Sequence, residues 1–512
     1  MSLSGIFDRL LRPAERLLTA LTDPMRRERT AVVTLLAYSA VWTLYGVFAK
    51  SSQDVHFDMG EAVALSRELD WGYTKHPPMM AWLARAWFDV FPVADWSFYL
   101  FAMSITSFAL WCAWRLSAQY LDAENRVLGL ALLTFVPFFN FHALKYNANS
   151  VLVPLWAVTT WWFLRSFETR NLAYAALAGV AAAASMLGKY WSIMLLAGLA
   201  LAAVADPRRK QYFSSAAPWI TVAAGAVALA PHIAWIAANS FSAFGYAMES
   251  HPVGSYADAA LTGIGYVAGN IAYAAAPILI AAAVAQPNMA AIADTLWPRD
   301  PARRTVLLCF VLPMLLPALA AVAAKSEAVS IWAMGGMTLL PLVLLSSPLI
   351  AFPRKAVVRA VAIAIAFPLV MLALSPAIAY LIHRQGVPRG QAHFEMLAAE
   401  IEKNWGAATQ RPLRFVGGDS NLAFGSAFYL GDRPQAYADF RAGSSIDPAR
   451  ITRDGIVLLC TVGDAECEKH IAPLAAANSQ TRRAQVELAR TYLDVRGRSE
   501  RFVIVVVPPR AN

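Results

Sequence analysis

Long apolar runs, separated by short basic or aromatic connections, organise most of the chain. A bilayer core takes about 20 apolar residues per helix. Runs near that length recur at 31–49, 97–114, 127–141, 150–164, 172–187, 190–205, 217–238, 259–285, 305–323, 331–351 and 360–382. The pattern predicts an α-helical polytopic membrane protein with about 11 transmembrane helices. The turn at Gly188-Lys189 leaves the fifth and sixth runs open to reading as one broken helix. Ahead of them, Ile6, Phe7, Leu10 and Leu11, then Leu17, Leu18 and Leu21, recur at helical spacing among arginines. Residues 1–30 are expected to form an amphipathic helix on the cytoplasmic membrane surface. After about Arg384 apolar and polar positions mix. Gly455–Cys460 and Phe502–Val507 read as strands, with a third at Leu413–Val416 and helical patterns at Gln391–Trp405 and Asp464–Ala476. The expected domains are thus a membrane domain over 31–383 and a small soluble α/β domain over 384–512.

Charge placement orients these runs. With the N-terminus inside, the inner connections are Arg115–Arg126, Arg165–Asn171, Asp206–Tyr212, Gln286–Arg304 and Pro353–Arg359, and each carries basic residues. Basic inner loops are what membrane insertion favours. The connections at 50–96, 141–149, 240–258 and 325–330 then lie outside, with the tail. Composition agrees: 58% of residues are hydrophobic, 15% charged, and mean hydropathy is +0.47, against about 25% charged in soluble proteins. The net charge of +9 is scattered among the connections, which fits an anionic membrane surface and argues against nucleic acid as a partner. No internal repeat suggests a transporter built from related halves. Cys112 and Cys309 fall inside apolar runs as packing residues, whereas Cys460 and Cys467 can pair if the tail is extracytoplasmic.

Candidate chemistry concentrates in the first outer connection, which holds Asp58, Glu61, Arg67, Glu68, Asp70, Lys75 and His76 among Trp and Phe residues. It is expected to form two short helices along the interface. Spacing alone leaves a polar active site and a merely solvated loop equally open. Lys189 sits between two apolar runs, where a lysine costs roughly 2.5–3.5 kcal/mol at mid-span; it either snorkels outward or meets an anion. Lys145 and Asn147 open the fourth run, where Asn149 or Ser150 is the expected helix cap. Glu249 and His251 lie in the third outer connection. Gly417-Gly418-Asp419-Ser420 follows a predicted strand and reads as a plain turn. There is no metal-ligand motif; no cofactor is expected, with a divalent ion at the loop carboxylates left open.

Asp58 and the run Leu69-Asp70-Trp71-Gly72-Tyr73-Thr74-Lys75-His76-Pro77-Pro78 resemble the first extracytoplasmic loop of the dolichyl-phosphate-mannose protein mannosyltransferase superfamily (glycosyltransferase family 39). Its bacterial members include the lipid A aminoarabinose transferases. Leu144–Trp156 and Leu187-Gly188-Lys189-Tyr190 extend the likeness, which covers about residues 30–380. It implies a GT-C bundle in a bacterial inner membrane with a periplasmic tail domain. It also implies an inverting glycosyltransferase that moves a sugar from a polyprenyl-phosphate donor to a lipid, lipopolysaccharide or other glycan acceptor. The alternatives are protein O-glycosylation on the same fold, or a non-catalytic lipid-binding or transport protein.

By the resemblance Asp58 is the catalytic carboxylate, ionised at an ordinary pKa near 4. Lys189, His76 and Lys75 meet the donor phosphate, and Tyr73, Lys145, Asn147, Tyr190, Glu249 and His251 are substrate-binding candidates. The family's Asp-Glu pair is here Asp58-Met59. Glu61, one helical turn on, either replaces the missing carboxylate or contacts a different sugar or acceptor.

Overall fold

The structure, a computed structural model, describes residues 3–239, 252–437, 448–476 and 478–510. Helix α1 (Leu3–Thr22) precedes α2 (Arg27–Ala49), and the first outer connection folds into α3 (Phe57–Ser66) and α4 (Met79–Phe88). Next come α5 (Asp95–Ser117), α6 (Ala123–Leu133), α7 (Ala148–Thr169), α8 (Leu172–Gly188), α9 (Ile193–Ala205), α10 (Arg209–Phe213) and α11 (Ala217–Ala238). The bundle closes with α12 (Tyr256–Ala285), α13 (Met289–Leu296), α14 (Pro301–Ala324), α15 (Leu340–Leu345) and α16 (Arg354–Gln385).

Every predicted apolar run is helical, but not every one is a straight crossing. Among the described residues α2, α5, α11, α12, α14 and α16 are long and apolar enough to span a membrane. The run at 127–141 bends by 85° between α6 and the turns of Pro137–Leu144, where Pro137 lacks the amide N–H that would continue the helix. The run at 331–351 begins as a 3-10 helix over Ser330–Leu339, so α15 is short. Gly335 lies there against Trp156 and the Leu152 carbonyl, where a Cβ would stand 2.9 Å from each. Helices α8 and α9 are distinct, separated by Lys189 in an extended conformation.

Helix α1 packs across one end of the bundle. Ala14, Leu18 and Leu21 bury its apolar stripe against α2, α6 and α16, and Arg354, at the start of α16, pairs with Glu124 and donates to Thr19 Oγ1 at 3.2 Å. At the far end of α16 stands the C-terminal domain: α17 (Phe394–Ala408), β1 (Phe415–Gly418), α18 (Ser420–Tyr429), β2 (Gln435–Tyr437), α19 (Pro448–Asp454), β3 (Ile456–Thr461), α20 (Ala465–Ala476), β4 (Arg482–Tyr492) and β5 (Val495–Val507).

Its sheet has the order β2-β1-β3-β5-β4, with β1 parallel to β2 and β3, and β5 antiparallel to β3 and β4. Alternate residues serve opposite faces. Val457, Leu459, Phe502 and Ile504 pack under α17 and α18, while Leu458, Cys460, Val503 and Val505 pack on α19 and α20. Cys460 and Cys467 form a disulfide on that second face. Sequence patterning misses β2 and β4. The latter is an edge strand with exposed arginines, so it lacks the apolar alternation that marks β3 and β5. The Gly417–Ser420 segment, expected as a plain turn, instead ends β1 and starts α18: Asp419 caps α18 by accepting the Asn421 and Leu422 amides at 2.9 and 3.0 Å.

Candidate active site

Helix α3 carries the centre of the site. The His56 imidazole caps it, Nδ1 accepting the Asp58 amide at 3.1 Å. A nitrogen that accepts bears no proton, so His56 is neutral in this geometry. Burial lowers its pKa to about 4, with Asp58 opposing and Lys145, Lys50 and Arg389 adding to the fall. The 3.7 Å approach of His56 to Asp58 Oδ1 is therefore not an ion pair.

Asp58, in the first turn of α3, is 19% exposed and holds the Lys145 ammonium at 3.0 Å. Its Oδ2 also accepts from Asn147 Nδ2 at 3.0 Å. Asn147 is the N-cap of α7, its oxygen accepting the Asn149 and Ser150 amides, so one side chain starts a membrane helix and fixes the carboxylate. Ser150 completes the capping box, and Asn149, expected as a cap, instead accepts from Lys189 Nζ at 2.7 Å. Burial pushes the Asp58 pKa up, but Lys145, His56 and Asn147 together overcome it and hold the carboxyl at about 2. The carboxylate is tuned, contrary to the ordinary value expected for it.

Glu61 lies one turn along the same helix and is buried. Lys75 Nζ reaches its two oxygens at 2.9 and 3.0 Å, and His76 Nε2 stands 3.6 Å away. Burial raises the Glu61 pKa, and Lys75 and His76 reverse that to a net lowering. For His76 burial prevails over Glu61, so its pKa falls below 6.5 and its neutral form dominates at pH 7. Met59 packs in the core cluster that holds Trp42, Phe98 and Tyr146. Lys189 stands 4.7 Å over the Trp332 ring, and the charges acting on it are Asp58 and Lys75. The structure thus gathers Asp58, Glu61, Lys75, His76, Lys145, Asn147 and Lys189 from α3, two connections and the start of α7.

Two candidates stand apart. The Tyr73 hydroxyl donates toward the Leu65 and Glu68 carbonyls at 3.0 and 2.9 Å, pinning the Trp71–Tyr73 turn to the end of α3. Tyr190 meets His232 Nε2 at 3.1 Å, and His232 Nδ1 reaches the Trp71 carbonyl at 2.5 Å. The carbonyl can only accept, so Nδ1 bears the proton and Nε2 accepts from Tyr190. Both tyrosines fasten the loop. Glu249 and His251 lie outside the described residues.

Sequence reading missed His56, Lys50 at the C-cap of α2, and Arg389, whose guanidinium carbon is 5.7 Å from the Phe57 ring centroid. It also missed how the C-terminal domain grips α3. Arg67 donates to the Ala427 carbonyl at 2.7 Å and to that of Pro434, and Gly60 lies so close to α18 that a Cβ would run into the Phe424 carbonyl. Among the described residues no three His, Cys, Asp or Glu side chains converge as a metal site.

Comparison with known proteins places this geometry. A sequence model of the dolichyl-phosphate-mannose-protein mannosyltransferase family matches residues 75–235. The chain is 27% identical over 226 residues to the lipopolysaccharide core galacturonosyltransferase RgtB of Rhizobium johnstonii. Over residues 75–235 the chain is thus similar to that mannosyltransferase family. That alignment covers 43% of this chain, and the chain spans 44% of the curated relative's length. In fold, the chain is similar to ArnT from Cupriavidus metallidurans bound to undecaprenyl phosphate, at TM-score 0.62 and 13% identity over 93% of this chain and 97% of that one. The apo state of the same protein gives TM-score 0.60 at 12% identity, with the same coverage. The GT-C-type bundle with its small C-terminal sheet domain is therefore shared across nearly the whole chain. The family match begins at Lys75 and includes His76, Lys145, Asn147 and Lys189, while Asp58 and Glu61 precede it.

Proposed function

We propose that this chain is an inverting membrane glycosyltransferase that moves a sugar from a polyprenyl-phosphate carrier to an acceptor in the cell envelope, with lipid A or lipopolysaccharide core as the leading acceptor. The observation that carries the reading is an ionised, clamped Asp58 beside a group of lysines at the end of an apolar bundle. Displacement at the anomeric carbon leaves charge on the departing lipid phosphate, so it needs fixed cations there and a carboxylate facing the sugar. Lys189, backed by Lys75, takes the phosphate. His76, mostly neutral, serves as a hydrogen-bond donor rather than a charge. Asp58 faces the reacting carbon, accepting the nucleophile's proton where the acceptor is a hydroxyl. Glu61 neutralises Lys75 and so positions it, a role different from both of those first expected.

Support for the donor class comes from the fold relative that was solved with undecaprenyl phosphate. Support for the envelope acceptor comes from the galacturonosyltransferase relative. The basic inner connections favour a cytoplasmic N-terminus and a periplasmic tail domain over 384–512. The test is Asp58→Asn, assayed in membranes with a radiolabelled polyprenyl-phosphate sugar. Loss of transfer by about 100-fold or more is expected; transfer at the wild-type rate sinks the mechanism.

A further inference from the structure

Two sets of charged groups lie about Asp58. One is Glu61, Lys75, His76 and Lys189, where each lysine has a partner: Lys75 pairs with Glu61, and Lys189 donates to Asn149. The other is Lys145, His56, Lys50 and Arg389, with Phe57 among them. Among the described residues the carboxylate paired with this second set is Asp58, already matched by Lys145 at 3.0 Å. Among the described residues no carboxylate pairs with Lys50 or with Arg389.

Lys50 is partly buried at the end of α2, and Lys145 is the charge that acts on it. Burial, reinforced by Lys145, lowers the Lys50 pKa. Lys145 Nζ and the Arg389 guanidinium carbon lie 5.9 and 5.7 Å from the centroid of the same Phe57 ring, within the range where a ring face attracts a cation. Arg389 is held in the left-handed region, at φ 62°, a conformation a non-glycine residue adopts at a cost. It belongs to the segment that joins α16 to the C-terminal domain, whereas Lys50 and Lys145 belong to the bundle. Gathering three like charges around one carboxylate is unfavourable in a partly dry site unless an anion joins them.

We propose that Lys50, Lys145 and Arg389 form a second oxyanion subsite beside Asp58, which takes the phosphate or carboxylate of the acceptor. The inference rests on the glycosyl-transfer reading and adds the chemical class of the acceptor to it. The donor phosphate is then held by Lys189, and the acceptor anion by Lys50, Lys145 and Arg389. The C-terminal domain completes the subsite through Arg389.

The experiment uses the full chain in nanodiscs and a radiolabelled polyprenyl-phosphate sugar. Three acceptors are compared: bisphosphorylated lipid A, the same lipid A after phosphatase treatment, and a carboxylate-bearing core oligosaccharide. Lys50→Met and Arg389→Gln should each raise the acceptor KM about tenfold, as loss of one charge-assisted contact does, and leave the donor KM unchanged. Lys50→Arg should restore most of the affinity, and Lys189→Met should raise the donor KM instead. The phosphate and carboxylate arms show which oxyanion is used. An unchanged acceptor KM, a raised donor KM in Lys50→Met, or use of phosphatase-treated lipid A equal to that of both anionic acceptors overturns the subsite while leaving the transferase reading intact. No transfer by the wild-type protein to any acceptor overturns that reading itself.

Discussion

Removing Lys145 should move the acid limit of the reaction. The Asp58 carboxyl is held at about 2 against an ordinary 3.8, a preference for the ionised form of about 2.5 kcal/mol at 1.36 kcal/mol per pH unit. Burial is the largest influence on this group and pushes the other way; Lys145 is the largest of those that oppose it. In Lys145→Met the burial effect is left facing His56 and the Asn147 hydrogen bond without the largest of the groups that oppose it. The folded-state pKa then rises from about 2. For the wild type, a depressed pKa means the stabilising contribution is complete above pH 3.8 and is lost only as pH falls through about 2. The assay is kcat against pH from about 4 to 8, with both substrates saturating so that weaker binding does not enter. The wild-type profile should show no acid limb from Asp58 in this range. The Lys145→Met profile should fall in its acid half and recover toward pH 8. Parallel profiles for the two proteins would refute the argument that Lys145 is what keeps Asp58 ionised.

Glu61→Gln leaves the Lys75 ammonium beside a buried neutral amide. Unfolding in detergent should show a loss of about 2–3 kcal/mol, the lower end for a broken buried pair because Lys75 is partly exposed; in Glu61→Gln/Lys75→Met much of the loss should return. Gly60→Ala drives a methyl into the Phe424 carbonyl, so thermal stability should fall by about 1–3 kcal/mol and transfer should fall with it. Normal activity in that variant would show that α18 does not set the position of α3. Cys467→Ala opens a disulfide between residues 7 apart. Loop-closure entropy makes that worth about 2.5 kcal/mol to the C-terminal domain, read as a lowered unfolding midpoint for the variant or for wild type under reductant.

The bundle was legible because a helix in a membrane must announce itself by length and apolarity. Each of the apolar runs is helical for that reason. The bend at Pro137 and the 3-10 stretch at Ser330–Leu339 were less visible. They depend on close packing, as of Gly335 on Trp156, which hydropathy does not record. Asp58, Glu61 and Lys75 became candidates because they crowd into one loop and because that loop resembles the family's first extracytoplasmic loop. Tyr73 and Tyr190 were drawn in by proximity in sequence, yet their hydroxyls turn to the Leu65 carbonyl and His232. Lys50 directly follows the first apolar run, and Arg389 lies more than 300 residues from Asp58 in the chain. Only the fold makes them neighbours.

That neighbourhood explains why a soluble domain is attached to the bundle at all. Helix α3 is short, and helices of fewer than about 12 residues are marginal on their own. Met59 and Val63 bury its apolar side in a core cluster shared with residues of α2, α4 and α5, and α18 meets it at Gly60. Arg67 then ties its C-terminal end to two carbonyls of the C-terminal domain. At its base, Asp54 pairs with Arg490 of β4 and accepts the Glu395 amide of α17 at 3.2 Å. A carboxylate whose direction matters to within a fraction of an ångström needs such a frame. The bundle supplies Lys145 and Asn147, the C-terminal domain holds the helix that presents Asp58 to them, and Arg389 adds charge from the same side. Neither part contains all of these residues without the other.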